Sequence, residues 1–114
     1  MKSGNGSFST SVENALLHLT ENKTFAEIFH HGSLLLEIYA PGDVDLQQPH
    51  TRDEVYFVAS GTGEYVNGET RQAFKPTDVL FAAAGTKHRF ENFSHDLTVW
   101  VLFYGPEGGE SIGK

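Results

Sequence analysis

The sequence predicts an all-β fold, an antiparallel sandwich or barrel with one short helix near its amino end. From residue 24 onward the chain is a series of short runs rich in β-branched and aromatic residues, each bounded by Gly, Pro, Asn or Asp. No helical pattern separates these runs, so a parallel sheet with crossover helices is not expected. The length of 114 residues suits one domain with one core.

The predicted elements begin with a helix within residues 10–19. A Thr-Ser cap precedes apolar residues at helical spacing, namely Val12, Ala15, Leu16 and Leu19. The predicted strands that follow the helix are residues 24–30, 34–40, 54–60, 63–66, 70–74, 79–82, 88–93 and 97–104. Their number and shortness favour a small sandwich or barrel.

Turn residues separate the predicted strands. Asn67 and Gly68 lie between two of the runs and predict a hairpin with a type I′ turn, in which both residues have a positive φ. Gly61 and Gly85 are interpreted in the same way, as residues that allow turns and bulges and that carry no chemistry.

The barrel domain is predicted to span residues 12–105, between two flexible ends. Residues 1–11 are rich in Gly, Ser and Asn, and residues 106–114 are rich in Gly and Glu. Such polar, glycine-rich ends are typically poorly ordered. No internal linker or long repeat interrupts the domain.

The composition excludes several classes of function. The net charge of −7 arises from 15 acidic and 8 basic residues, and the basic ones are scattered singly, so a nucleic-acid partner is not expected. Cysteine is absent, which excludes disulfides, thiolate metal sites and thiol nucleophiles. No long apolar run or signal-peptide core is present, and we therefore expect a cytoplasmic protein without membrane contacts.

Three polar residues near the middle of the chain share one parity: Gln48, His50 and Glu54. If the backbone is extended there, their side chains point to the same face, which Tyr56 and Val58 continue into the barrel. A carboxylate and an imidazole aimed into an apolar interior need a partner, and a metal ion would be one. The alternative is a solvated polar edge.

A second histidine, His88, follows the turn at Gly85 and shares its parity with Phe90 and Asn92. It lies at the start of a run whose alternate positions are predicted to face inward. Two imidazoles and one carboxylate are the components of a facial triad, which suits Fe(II), Mn, Co or Ni and leaves coordination positions open.

Both stretches resemble the two sequence motifs of the cupin superfamily. The residues that fall at the spacing of the first motif are Gly42, Gln48, His50, Glu54 and Gly61, with Gln48 in place of the first histidine. In the second motif Gly85, His88 and Asn92 match, whereas Thr77 and Ala83 replace its Gly and Pro. The resemblance covers residues 42–92 closely and the flanks only through their β-rich character.

The resemblance implies a single-domain jelly-roll β-barrel, also called a double-stranded β-helix, with one divalent metal ion near one mouth. Carried over by position, the metal ligands are His50, Glu54 and His88, with Gln48 as a weaker fourth ligand because an amide oxygen adds no charge. The ion would be Fe, Mn, Ni, Co or Zn.

The leading functional hypothesis is a metal-dependent enzyme of the dioxygenase, isomerase or lyase type that acts on a small organic molecule. The alternative is a non-catalytic cupin that binds or senses a small ligand, and a third interpretation is a site that has lost its metal. Arg52, Lys87 and Arg89 could meet an anionic substrate or form exposed salt bridges. We also expect a homodimer, because residues 25–30 form a strand that could pair across a two-fold axis.

Overall fold

Nine strands and one helix make up the part of the chain that the structure describes. The computed structural model describes residues 2–3 and 6–111. In chain order the elements are β1 (Lys2–Ser3), α1 (Val12–Leu16), β2 (Phe25–His31), β3 (Leu34–Tyr39), β4 (Asp53–Ser60), β5 (Gly63–Asn67), β6 (Thr70–Phe74), β7 (Val79–Ala82), β8 (His88–Glu91) and β9 (Thr98–Tyr104). The strands predicted from the alternating runs are therefore confirmed to within two residues at each end.

Two sheets form the barrel, and they confirm the predicted all-β jelly roll. The larger sheet has six strands in the order β1-β2-β3-β9-β4-β7, and the smaller has three in the order β6-β5-β8. The pairs are antiparallel except for β1 and β2, which run parallel. Glu54 of the first motif lies on β4 of the larger sheet, and His88 of the second lies on β8 of the smaller sheet.

The main core contains side chains from both sheets, among them Tyr56, Val58, Phe90 and Val99. The alternation predicted for β4 is confirmed: Tyr56 is 1% exposed, whereas its neighbour Phe57 is 42% exposed. A second cluster, made of Ala15, Ala26, Ile28 and Ile38, lies on α1, β2 and β3.

Helix α1 confirms the predicted short helix, although it is shorter than residues 10–19. Ser11 is its N-cap, and its Oγ accepts a hydrogen bond from the Asn14 amide at 3.0 Å. Ala15 is the buried residue of the helix. Within the described residues, no helix combines the length and apolar character needed to cross a membrane.

The hairpin between β5 and β6 is confirmed, but the type I′ turn predicted for it is wrong. Asn67 pairs with Thr70 as the last rung of the ladder, so the two loop residues are Gly68 and Glu69. Gly68 has a φ of +60°, and neither Asn67 nor Glu69 has a positive φ. A positive φ at the first loop residue alone is typical of a type II′ turn, which requires glycine there.

Several motif positions adopt left-handed backbone conformations, and Gly61 and Thr77 are the most informative of them. Gly61 has a φ of +90°, and a Cβ there would lie 2.6 Å from the Leu97 Cα, so glycine is required. Thr77, which replaces a motif glycine, has a φ of +77°. This conformation is unusual for a β-branched residue, so the backbone geometry of the motif persists although the glycine is absent.

The two ends of the chain contribute contacts that the sequence did not predict. Strand β1, inside the segment predicted to be flexible, pairs with Phe29 and His30 of β2. In the predicted tail, the Glu110 amide donates to Asp53 Oδ2 at 2.9 Å, and the Ala84 amide donates to Oδ1 at 2.9 Å. These bonds lower the pKa of Asp53. Residues 1, 4–5 and 112–114 lie outside the described part of the chain.

Candidate metal centre and cavity

A cavity of about 500 Å³ lies beside the loop between β3 and β4. Side chains of β3, β4, β9 and that loop line it, and its apolar wall includes Leu35, Val101 and Phe103. Three of the four predicted metal ligands, Gln48, His50 and Glu54, are lining residues, whereas His88 is not. A concave, largely apolar surface with a few polar groups is typical of a small-molecule site.

A buried ion pair between the two sheets lies at the end of the cavity. Glu54 is the second residue of β4 and pairs with Ala82 and Phe103, while His88 is the first residue of β8. The His88 Nε2 lies 2.6 Å from Glu54 Oε1, and each side chain is 1% exposed. Burial alone would lower the pKa of His88, but hydrogen bonds to Glu54 and to the Thr86 carbonyl raise it overall.

The ring of His88 is held from both sides. Its Nδ1 donates to the Thr86 carbonyl oxygen at 2.8 Å, so Nε2 is the nitrogen directed at Glu54. Histidines that bind metals are oriented in a similar way, because a backbone carbonyl bonded to one ring nitrogen directs the other nitrogen toward the ion. The contact between His88 and the buried Glu54 therefore supports the predicted inward orientation of His88.

Behind this pair lies a chain of hydrogen bonds that the sequence did not predict. The Tyr56 hydroxyl is 2.7 Å from Gln47 Oε1, 3.0 Å from Glu54 Oε1 and 2.8 Å from His88 Nε2. Asp45 Oδ2 accepts from Gln47 Nε2 at 2.8 Å and from the Phe90 amide at 2.7 Å. Because β8 is bonded to the loop through Asp45, the chain fixes His88 and Glu54 relative to each other.

His50 lies on the cavity side of Glu54. Its Nε2 is 3.9 Å from Glu54 Oε2, its side chain is 38% exposed, and its ring contacts Phe103 at a centroid distance of 4.9 Å. The His50 carbonyl accepts a hydrogen bond from the Gly85 amide at 2.7 Å. This backbone bond connects the loop of the first motif to the turn of the second, and it brings the two motifs together.

Gln48 occupies a more peripheral place than its parity with Glu54 suggests. The extended strand begins only at Asp53, so the alternation between faces does not hold across the preceding loop. Gln48 lines the cavity and is exposed. The glutamine that enters the buried hydrogen-bond chain is its neighbour, Gln47.

The donor set fits a divalent metal ion. Within residues 6–111, no three His, Asp or Glu side chains are already spaced as a metal cage, and His88 Nε2 and Glu54 Oε1 are in direct contact. However, Glu54 Oε2 is buried without a hydrogen-bond partner. A buried carboxylate oxygen in that state is costly, and a cation between it and His50 would satisfy it.

A further carboxyl group, that of Glu37, lines the same cavity. It is half-buried on β3, where it pairs with Glu27 of β2. Burial, followed by the charges of Glu27 and Glu54, raises the pKa of Glu37 to about 7. Glu37 was not predicted as a functional residue, although it is a single acidic residue within the otherwise apolar strand Leu34–Tyr39.

Comparison with known proteins relates this architecture to a family. The chain is 37% identical over 86 residues to an uncharacterized protein of Streptomyces coelicolor, a match that covers 73% of this chain and 81% of that protein. Its fold is similar to that of KdgF from Halomonas sp., with a TM-score of 0.63 and 20% identity over 78% of this chain and 87% of that one.

A second similar structure is the DMSP lyase DddQ from Ruegeria pomeroyi DSS-3. It has a TM-score of 0.61 and 20% identity, and the match covers 87% of this chain but 56% of that protein. The family model described as the cupin domain matches residues 35–104, which include both motifs and the seven strands β3 to β9. The chain therefore belongs to the cupin family.

Proposed function

We propose that the protein is a metal-dependent enzyme that acts on a small organic molecule in the cavity. The observation that carries the proposal is Glu54, a fully buried carboxylate that lines the cavity and has one oxygen without a hydrogen-bond partner. Burial of a carboxylate in that position lowers the stability of the fold, because the charge loses its hydration. It is well placed as a ligand between His50 and His88.

The proposed ligands are His50, Glu54 and His88, with Gln48 as the weaker fourth. The ion would be Fe, Mn, Ni, Co or Zn, since imidazole and carboxylate together suit these metals. Only the neutral imidazole is a metal ligand, so a bound ion would replace any proton on the His88 Nε2 that contacts Glu54. Once bound, the ion would polarise a substrate oxygen or bind dioxygen beside it.

The residues of the cavity favour proton transfer. Leu35, Val101 and Phe103 exclude water from one side of a bound molecule. Glu37 lines the same space, and a carboxyl group whose pKa is about 7 can both accept and donate a proton near neutral pH. This combination supports an isomerase or a lyase, because both reaction types transfer protons to or from the substrate.

The proposal is tested by loading the purified protein with each candidate ion and measuring bound metal by elemental analysis. We expect about one ion per chain, and turnover of a small organic substrate without oxygen uptake. Oxygen consumption would point to a dioxygenase instead. Protein that remains free of metal at every ion tested would contradict the metal-dependent enzyme.

The second candidate is a non-catalytic cupin that binds or senses a small ligand. The observation in its favour is the size of the cavity, about 500 Å³, with a mainly apolar wall. This candidate predicts tight binding of a small molecule that is recovered unchanged. Recovery of a converted product would eliminate it.

We further propose that the protein forms a homodimer and acts in the cytoplasm. Residues 25–30, which were predicted to pair across the dimer, lie in β2 and are hydrogen-bonded to β3 of the same barrel. We therefore assign the dimer interface to another surface. Phe57, Val79 and Phe81, on adjacent strands at the end of the larger sheet, are 42%, 56% and 49% exposed. Neighbouring exposed apolar residues of this size are typical of an interface.

Light scattering is expected to give twice the 12.6 kDa mass of one chain. Val79→Lys should lower the mass to that of the monomer, because it places a charge in the apolar contact. Leu46→Lys is the matched control, since Leu46 is 77% exposed elsewhere. A monomeric parent protein, or a dimer that survives Val79→Lys, would contradict the assignment.

A further inference from the structure

Arg52 is the charged cavity residue to which the proposed function gives no role. It lies in the loop just before β4 and lines the cavity together with His50 and Glu54. The two other basic residues near the motifs behave differently: Lys87 is exposed, and Arg89 forms an ion pair with Glu91. Arg52 is half-buried, so an ordinary solvated surface role does not account for it.

The guanidinium of Arg52 is fixed in place but incompletely bonded. Its Nε donates to the Gly105 carbonyl oxygen at 3.1 Å, which holds the group against the end of β9. Its Nη2 is buried and has no hydrogen-bond partner. Among the described acidic side chains, none forms a salt bridge with Arg52, although Glu37 and Glu54 line the same cavity.

A buried donor of a charged group without an acceptor costs free energy, and a bound anion would remove that cost. Arginine presents its N–H groups in a planar fork that matches the two oxygens of a carboxylate. A phosphate dianion fits less well, because it usually needs several cations or a cluster of backbone amides. Here one guanidinium lines a cavity whose other lining residues include the apolar Leu35 and Phe103.

We propose that the cavity binds a small organic acid whose carboxylate pairs with Arg52. The apolar wall then contacts the carbon skeleton, and the opposite end of the ligand lies toward His50 and Glu54. This inference rests on the proposed function in that the acid would be the substrate, but the carboxylate subsite itself requires no metal. Arg52 thus determines which class of molecule enters.

The test uses a panel of short-chain mono- and dicarboxylic acids, each compared with its own primary amide. Binding is measured by calorimetry or ligand-observed NMR to the full-length protein, both free of metal and loaded. At least one acid should bind, and it should bind about tenfold to a hundredfold more tightly than its amide, the ratio expected for one charge-assisted hydrogen-bonded pair.

Arg52→Gln should remove this preference, and Arg52→Lys should restore only part of it, because the ammonium lacks the planar fork. Lys87→Gln is the matched control, since it removes the same charge from an exposed position, and it should bind as the parent does. Equal binding of acids and amides, an unchanged preference in Arg52→Gln, tighter binding of a phosphate monoester, or no binding by any acid would each overturn the proposal.

Elemental analysis of Arg52→Gln separates this inference from the proposed function. The variant should take up metal like the parent, because Arg52 is not a ligand. If the parent binds no metal but still prefers acids through Arg52, the enzyme proposal fails and the carboxylate subsite stands. If metal binds normally and no acid preference exists, the carboxylate subsite fails alone.

Discussion

His50→Ala is expected to weaken divalent-metal binding by at least about tenfold. Loss of a residue that only supports a metal ligand already weakens binding about tenfold or more, and the loss of a ligand should weaken it further. The barrel should remain folded, because the His50 side chain is 38% exposed and its nearest approach to Glu54 is 3.9 Å. The measurement is metal titration of the refolded or metal-stripped protein, with circular dichroism to verify the fold.

His88→Ala is expected to lower both metal affinity and stability. It removes a ligand, and it also leaves the buried Glu54 carboxylate without its 2.6 Å partner. Breaking a buried pair from one side typically costs about 3–5 kcal/mol. His95→Ala is the control, since His95 is an exposed histidine paired with Asp43 at 2.7 Å. Normal loading of both His50→Ala and His88→Ala would show that the ligands are wrongly assigned.

Gln48→His reports on the fourth position within the same titration. A histidine there would restore the imidazole of the family motif and should tighten metal binding if the loop lets the ring reach the ion. The exposure of Gln48, and the entry of Gln47 rather than Gln48 into the buried hydrogen bonds, limit the gain. Unchanged affinity would place Gln48 outside the metal's coordination sphere.

The strands and the inward face of β4 could be predicted from the sequence because their physical cause is local. Alternation places Glu54, Tyr56 and Val58 on one face, and each is almost fully buried. The same rule failed for the loop before Asp53, which belongs to no strand and in which Gln47 rather than Gln48 bonds to Tyr56. The spacing of two residues in the sequence predicts that their side chains share a face only where the chain is a hydrogen-bonded strand.

The remainder of the site depends on contacts between residues far apart in the chain. The position of the Arg52 guanidinium depends on its bond to Gly105, and the raised pKa of His88 depends on its contact with Glu54 across the two sheets. Glu37 lies opposite Glu27 because the antiparallel pairing of β2 and β3 places the two residues in register. Neither an unpaired donor nor a raised pKa is visible in a sequence, because both depend on which groups the fold leaves without partners.

Glu37→Gln is expected to stabilise the folded protein, and to do so more at pH 8 than at pH 5. Burial and the charges of Glu27 and Glu54 raise the pKa of Glu37 from 4.5 in the unfolded chain to about 7 in the folded protein. A carboxyl group with a raised pKa binds its proton more tightly when folded. Stability is therefore lost as the pH rises from below 4.5 through 7.

Urea denaturation at several pH values from 5 to 8 measures the free energy of unfolding of the variant and of the parent. The variant removes the titrating group but keeps its shape. Its free energy of unfolding should rise relative to that of the parent by at least about 1 kcal/mol between pH 5 and pH 8. This is less than the full pKa difference would give, because solvent screens a half-buried group. Glu69→Gln, in the exposed turn between β5 and β6, should give no such pH-dependent difference. Glu27→Gln removes one of the two neighbouring charges and should give a smaller effect of the same sign.

A constant difference between Glu37→Gln and the parent across this range would mean that Glu37 is ionised in the folded protein like any surface carboxylate. Glu37 would then be unsuited to carry a proton in the cavity.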